Sequence, residues 1–128
     1  MNSDKPVAII TGGATGIGAA CAKQLSRDGF RVGIPYIDAV EEQARHLLSQ
    51  LEDGFLVKAD LADADQIDAM LSEIKEKAGR VDVLVNGAGI SINKDINSMT
   101  LEDFDLQRAL VRGSWYLTKR ILRLFMLR

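Results

Sequence analysis

The chain has 128 residues, 47% of them hydrophobic and 27% charged, with 16 Lys+Arg set against 18 Asp+Glu. That is one ordinary domain, able to bury about two-thirds of the surface its unfolded chain exposes. The composition excludes a disordered tail and, with two prolines and no period, a collagen-like or low-complexity chain. Cys21 alone leaves no disulfide framework and fits a reducing cytosol. No uncharged apolar run reaches the roughly 18 residues of a membrane span, and the opening Met-Asn-Ser-Asp-Lys-Pro lacks a signal-peptide core, so a cytoplasmic protein is expected.

Strand-like and helix-like segments alternate along the chain. Val7–Thr11 is a short apolar run stopped by Gly12-Gly13, which predicts a strand. Ile17, Ala20, Cys21 and Leu25 recur at helical spacing between Gly16 and Asp28, with Gly29 as the stop. Arg31–Ile34 reads as a second strand closed by Pro35. A second helix follows over 39–52, with Val40, Ala44, Leu47, Leu48 and Leu51 on one side. Phe55–Lys58 is a third strand. Asp63 to Ala78 is a third helix striped by Ile67, Met70, Leu71 and Ile74 and stopped by Gly79, and Val81–Val85 a fourth strand. A helix starts near Thr100, capped with Asp103, and a basic helix runs from Ser114 to Leu127. Apolar strands alternating with helices predict an α/β fold, a Rossmann-like parallel sheet with helices on both faces and a single domain over 1–128.

The first strand ends in Thr11-Gly12-Gly13-Ala14-Thr15-Gly16-Ile17-Gly18, immediately before a helix. Glycines permit a tight turn and let a ligand approach the peptide N–H groups. Those donors, with the positive end of the helix dipole, suit a pyrophosphate. No Gly-Lys-Ser/Thr follows, which excludes a P-loop. Asp60 lies at the end of the third strand, where its carboxylate can accept from an exocyclic amine; Asp63 is the better placed to cap the third helix. Asn86 offers a donor and an acceptor to neighbouring backbone at the end of the fourth strand, and Gly87 and Gly89 keep that loop slim. In open α/β sheets ligands bind at this carboxyl side of the strands.

Thr11-Gly12-x-x-x-Gly16-Ile17-Gly18 resembles the cofactor turn of the short-chain dehydrogenase/reductase family. Asp60-Leu61 resembles that family's adenine-contacting Asp, and Asn86-Gly87-Ala88-Gly89 its Asn-Asn-Ala-Gly, with Gly87 at the second position. The resemblance covers residues 6 to about 126 and only the family's N-terminal half. It implies a dinucleotide cofactor, NADP or NAD, bound by Thr11, Gly12, Thr15, Gly16, Ile17, Gly18, Tyr36, Asp60, Leu61, Asn86, Gly87, Ala88 and Gly89. Alignment puts Tyr36 where NAD-selective members carry an acid; Asp38 follows two residues later, as a substitute acid or a cap of the next helix. Thr15 stands where many NADP enzymes carry Arg or Lys. Without the standard acid the balance tips slightly to NADP.

The family reaction implied is hydride transfer between nicotinamide and a carbonyl or alcohol, with a Tyr, a Lys four residues later, a Ser and a helical Asn. No Tyr-x-x-x-Lys occurs in the chain, and the Ser falls in the half that the resemblance does not cover. Tyr116 is followed by Lys119 at one residue too few and by Arg120, which does not give up its proton; Tyr116 and Lys119 read as structural. Leu110 takes the Asn position, and Phe104–Gly113 is one residue shorter than the family's stretch, through degeneration or through missing residues. The sequence thus reads as the cofactor portion of such an oxidoreductase, truncated after about four strands and inactive alone, or alternatively as a non-catalytic nucleotide-binding or protein-interaction module. A small carbonyl or alcohol substrate is expected only for a complete family member. His46 has no Cys or His near it in sequence, so no metal site is expected; Cys21 reads as core filler, and Ser91 as a solvated loop serine.

Charge is unevenly spread. Residues 1–105 hold all 18 acids and ten bases, whereas 106–128 hold six bases and no acid. The apolar residues interleaved with those bases read as a packing helix with a basic rim, with an interaction surface as the alternative; neither nucleic acid nor membrane is expected as a partner. A sheet ending at its fourth strand leaves an apolar edge, so a homo-oligomer is expected.

Overall fold

The computed structural model describes residues 4–90 and 92–127. Strands β1 (Val7–Thr11), β2 (Arg31–Tyr36), β3 (Gly54–Lys58) and β4 (Val83–Asn86) alternate with helices α1 (Gly16–Arg27), α2 (Glu41–Ser49), α3 (Ala64–Lys77) and α4 (Leu101–Ile121). A 3-10 turn, Asp38–Val40, precedes α2, and a π turn, Leu122–Met126, follows α4. The strands form one sheet in the order β3-β2-β1-β4 with every pair parallel, and β4 is an edge of the described sheet. The expected α/β architecture is therefore present.

Each face of the sheet has its own core, because successive side chains of a strand point to opposite faces. Ile9, Phe55 and Val57 pack with Ile67, Met70, Leu71 and Ile74 of α3 and with Leu117 and Ile121 of α4. Ile10, Val32 and Ile34 pack on the other face with Ala22 of α1 and Leu47 of α2. The expected stripe of α3 is buried in full, and that of α2 is buried or half-buried.

Four expectations are corrected. First, β2 continues through Pro35 to Tyr36. Arg31 donates its N–H toward β1, to Pro6 O, and Val32 toward β3, to Asp53 O, so odd positions face β1. The β1 ladder ends at Ile9↔Gly33, so the N–H that proline lacks has no strand to meet on that side. Second, α1 turns only part of the expected stripe inward: Cys21 and Leu25 pack half-buried against the core and Gly18, Ala22 and Ser26 are buried, while Ala20 is exposed and Ile17 is 87% exposed. Small residues let α1 lie close, and the Ser26 hydroxyl is satisfied by the Glu52 N–H at 3.0 Å. Third, β4 begins at Val83, because Asp82 turns its carboxylate back onto the Val7 N–H at 2.8 Å.

Fourth, the two C-terminal helices are one. α4 runs unbroken through Gly113, capped by the reciprocal Thr100–Asp103 box. Glycine inside a helix costs about 1 kcal/mol relative to alanine. Here it marks the closest approach of α4 to the loop after β3, since a Cβ at Gly113 would collide with the Leu61 carbonyl oxygen.

Candidate dinucleotide site

The β1–α1 turn is built by mutual exclusion of side chains. Gly12 has φ +64°, and a Cβ there would strike the Gly87 carbonyl; a Cβ at Gly18 would strike the Gly12 carbonyl. The three glycines therefore nest the turn, the start of α1 and the loop after β4 in contact. Gly16, also at positive φ, and Gly89 have open space where a Cβ would stand. The two loop glycines thus differ: at Gly87 an added Cβ would stand only 2.5 Å from the Thr11 carbonyl oxygen, whereas Gly89 has open space there.

Thr11 locks the two loops together. It is fully buried, and its hydroxyl accepts the N–H groups of Gly87 at 3.1 Å and Ala88 at 3.2 Å while donating to Val85 O at 3.4 Å. Asn86, at the end of β4, donates from Nδ2 to Thr118 Oγ1 at 3.1 Å, and Thr118 donates to Ser114 O at 2.8 Å. The fourth-strand loop is thus fastened to β1 on one side and to α4 on the other, through a side chain where backbone partners were expected for Asn86.

Thr15 is the N-cap of α1 but its side chain caps no N–H. The first-turn donors of a helix have no intrahelical acceptor, and here the positive end of the helix opens toward the space beside Gly16. A cleft of about 580 Å³ reaches this turn at Ala14, Thr15 and Gly16 and continues between α1 and α2 past Lys23 and His46. A second cleft, about 380 Å³, lies beyond the ends of β2 and β3 and is lined by Ile37, Asp38, Lys58, Ala59, Asp60 and Gln66.

Asp60 shapes its own loop: Oδ1 accepts the Ala62 N–H at 2.9 Å, and its N–H donates to Gln66 Oε1 at 2.9 Å. Asp63 caps α3 through the Asp65 N–H at 2.9 Å, the role assigned to it from sequence. Leu61 is buried in the α3–α4 core, so Asp60 and Leu61, adjacent in sequence, face a cleft and the interior respectively. Tyr36 ends β2 half-buried, in register with Lys58.

Sequence reading missed two features. Three isoleucines, Ile17, Ile37 and Ile90, are exposed after β1, β2 and β4, giving apolar surface along the strand ends. Asp38 is neither a cap nor free: no side chain caps α2 or the 3-10 turn, and the Asp38 carboxylate meets Lys58 Nζ at 2.7 Å. The hydrogen bond to Asp38 raises the Lys58 pKa and keeps the ammonium charged. Ser91 lies outside the described residues.

Tyr116 and Lys119 stand on the α4 surface. Tyr116 donates to Asp68 Oδ1 at 2.7 Å, tying α4 to α3, and that bond pushes its phenol pKa up, away from the phenolate an acid–base tyrosine needs. Lys119 lies over the Trp115 ring at 5.3 Å, and Leu110 packs against the α3–α4 core. Among the described residues no helix is long and apolar enough to cross a membrane.

Known proteins share this arrangement. The short chain dehydrogenase family profile matches residues 6–127. The 3-oxoacyl-[acyl-carrier-protein] reductase FabG of Staphylococcus aureus is 34% identical over 102 residues, 77% of this chain and 41% of that protein. A short chain dehydrogenase from Burkholderia cenocepacia, solved with NADP, superposes with a TM-score of 0.86 at 32% identity, over 94% of this chain and 51% of that one. A 3-oxoacyl-[acyl-carrier protein] reductase from Brucella melitensis, solved with NAD, gives 0.83 at 28% identity over 96% and 50%. This chain spans about half the length of the relatives it matches. With its glycine turn, its Asp60 loop and its Asn86 loop at the carboxyl ends of the strands of one parallel sheet, the chain belongs to the short chain dehydrogenase family.

Proposed function

We propose that this chain is the NAD(P)-binding portion of a short chain dehydrogenase and binds the dinucleotide without turning over substrate by itself. The observation that carries this is the uncapped start of α1 held against the Gly87 loop, with open space beside Gly16. Free N–H donors at a helix start suit the pyrophosphate. Thr15, Gly16, Ile17 and Gly18 hold it, Asp60 receives the adenine amine in the smaller cleft, and Gly89 and Ala88 border the nicotinamide. Thr11, Gly12, Leu61, Asn86 and Gly87 act through backbone position. When bound, the cofactor supplies a hydride acceptor or donor for a carbonyl or alcohol in a complete family member. In this chain Leu110 and Tyr116 serve packing and an interhelix bond instead of a proton relay.

Tyr36 in place of an acid supports NADP over NAD. The lone cysteine supports a cytoplasmic location. Strand β4, an edge of the described sheet with a half-buried Val-Leu-Val run, supports self-association. A second reading, a nucleotide-binding or interaction module with no catalytic role, draws on the same packed Leu110 and bonded Tyr116. Titration with NADPH and NADH, followed by nicotinamide fluorescence, is expected to saturate while carbonyl reduction stays at background, and the same preparation is expected to sediment as a dimer or larger. Turnover by the pure chain overturns the inactive-portion reading, absence of binding overturns the cofactor reading, and a monomer at micromolar concentration overturns the association.

A further inference from the structure

We propose that Lys58 selects the phosphorylated cofactor, its ammonium leaving the ion pair with Asp38 to bind the 2′-phosphate of the adenosine at the smaller cleft. The proposal rests on the reading that this cleft receives the adenosine half of a dinucleotide. Lys58 and Asp60 line the same cleft, and Lys58 is in register with Tyr36, the position at which the expected acid is replaced. Residues in register on neighbouring parallel strands project to the same face, so the cation stands beside the end of β2, where the choice between a ribose hydroxyl and a phosphate is made.

The ion pair explains how an acid so close by tolerates a phosphate. Asp38 is the nearest carboxylate in sequence that substitutes for the missing one, yet it meets Lys58 at 2.7 Å. Bound in this way it is a poor acceptor for the two ribose hydroxyls of NAD. Both side chains are largely exposed, at 59% and 75%, so the pair is loosely held and the ammonium exchanges readily to a more highly charged partner. A phosphate dianion offers three strong acceptors where the carboxylate offers two. Lys58 and Asp38 should therefore act with opposite sign: removing the cation penalises the phosphate, and removing the acid frees the cation for it.

The test titrates the 128-residue chain with 2′,5′-ADP, 5′-AMP, NADPH and NADH at low and high salt, comparing the native sequence with Lys58→Met, Lys58→Arg and Asp38→Asn. Lys58→Met is expected to weaken 2′,5′-ADP and NADPH by about tenfold, the size of one charge-assisted hydrogen bond. It should leave 5′-AMP and NADH within about twofold, since the 2′-hydroxyl forms have no charge to lose there. Lys58→Arg is expected to retain the preference, Asp38→Asn to increase it, and salt to erode it. Equal loss for phosphorylated and unphosphorylated ligands, or no loss for either, overturns the role of Lys58 while leaving dinucleotide binding intact. Failure of the native chain to bind any of the four overturns both the assignment and the reading beneath it. Because Lys58 is exposed, circular dichroism of the variants is expected to match that of the native chain.

Discussion

At the carboxyl ends of β1 and β4, Gly12, Gly18 and Gly87 pack so closely that a single added methyl meets a carbonyl, and the Thr11 hydroxyl spends its hydrogen bonds on the loop beside it. On α4, by contrast, Val111 and Trp115 are 73% and 62% exposed, and Leu122 and Leu124 of the π turn that follows are also exposed. One region is overdetermined by contacts; the other presents apolar surface without a described partner element. The difference separates a surface of open polar backbone, where the proposed dinucleotide fits, from one of exposed apolar side chains. Glycines and an uncapped helix start expose polar backbone, whereas the α4 flank exposes large apolar side chains, the kind of area that the proposed self-association would cover.

The largest expected effect comes from adding one carbon at the tight contacts. Gly113→Ala drives a Cβ into the Leu61 carbonyl, a backbone atom that cannot rotate away, and is expected to cost about 3 kcal/mol in urea unfolding. Gly18→Ala meets the Gly12 carbonyl and is expected to cost about 1–3 kcal/mol and to abolish NADPH binding in the same preparation. The pair sharpens the comparison: Gly113 should alter stability with little change in affinity per folded molecule, and Gly18 should alter both. Equal affinities for Gly18→Ala and the native chain would sink the assignment of the turn as the pyrophosphate site.

Thr11→Val tests whether the locked loops matter beyond glycine. Valine keeps the shape in the buried position but removes the acceptor for the Gly87 and Ala88 N–H groups. The expected loss is about 1–3 kcal/mol, the cost of a buried donor left without a partner. Gly87 retains a bond to Val85 O at 3.1 Å, so the lower part of that range is expected, with increased amide exchange at Ala88 as its signature. An unchanged exchange rate at Ala88 would show that the hydroxyl does not fasten the loop.

What the sequence revealed and what it concealed divide along the range of the interactions. The alternation of strands and helices, the α3 stripe, the Thr100–Asp103 cap and the glycine turn are local patterns, and each is found where it was expected. The α1 stripe was legible only in part: Cys21 and Leu25 pack on the core as expected, but hydrophobicity also pointed to Ile17, while close approach favoured Gly18, Ala22 and Ser26. Pro35 was read as a stop because strand sidedness appears only once the β1 ladder is known to end at Gly33. The Lys58–Asp38 and Tyr116–Asp68 pairs join residues 20 and 48 positions apart, brought together by the β2–β3 register and by the packing of α4 on α3. Spacing along the chain carries no trace of either.

The smallest effect tests the edge end of the comparison. Arg80 donates from Nε and Nη2 to the Asp82 carboxylate at 2.8 Å, and Asp82 Oδ2 also receives the Val7 N–H, fastening the entry of β4 to the first residue of β1. The Arg80 hydrogen bonds hold the Asp82 pKa below its ordinary value. A carboxylate whose folded pKa is depressed contributes stability that is present above its unfolded pKa and lost as pH falls through the folded one. Melting temperature is therefore expected to fall below about pH 4, the ordinary Asp value. In Asp82→Asn that fall should be shallower, and the variant should be less stable at pH 7. Asp95 and Asp103 are shifted in the same direction and keep some acid sensitivity in the variant: Ser98 backbone and Lys94 side-chain hydrogen bonds, respectively, are the main causes. If the native chain and Asp82→Asn lose stability in parallel from pH 6 to pH 3, the Arg80–Asp82 clamp contributes nothing measurable. The entry of β4 would then be held to β1 by backbone bonds, the Asp82 N–H on Val7 O and the ladder that begins at Ala8↔Val83.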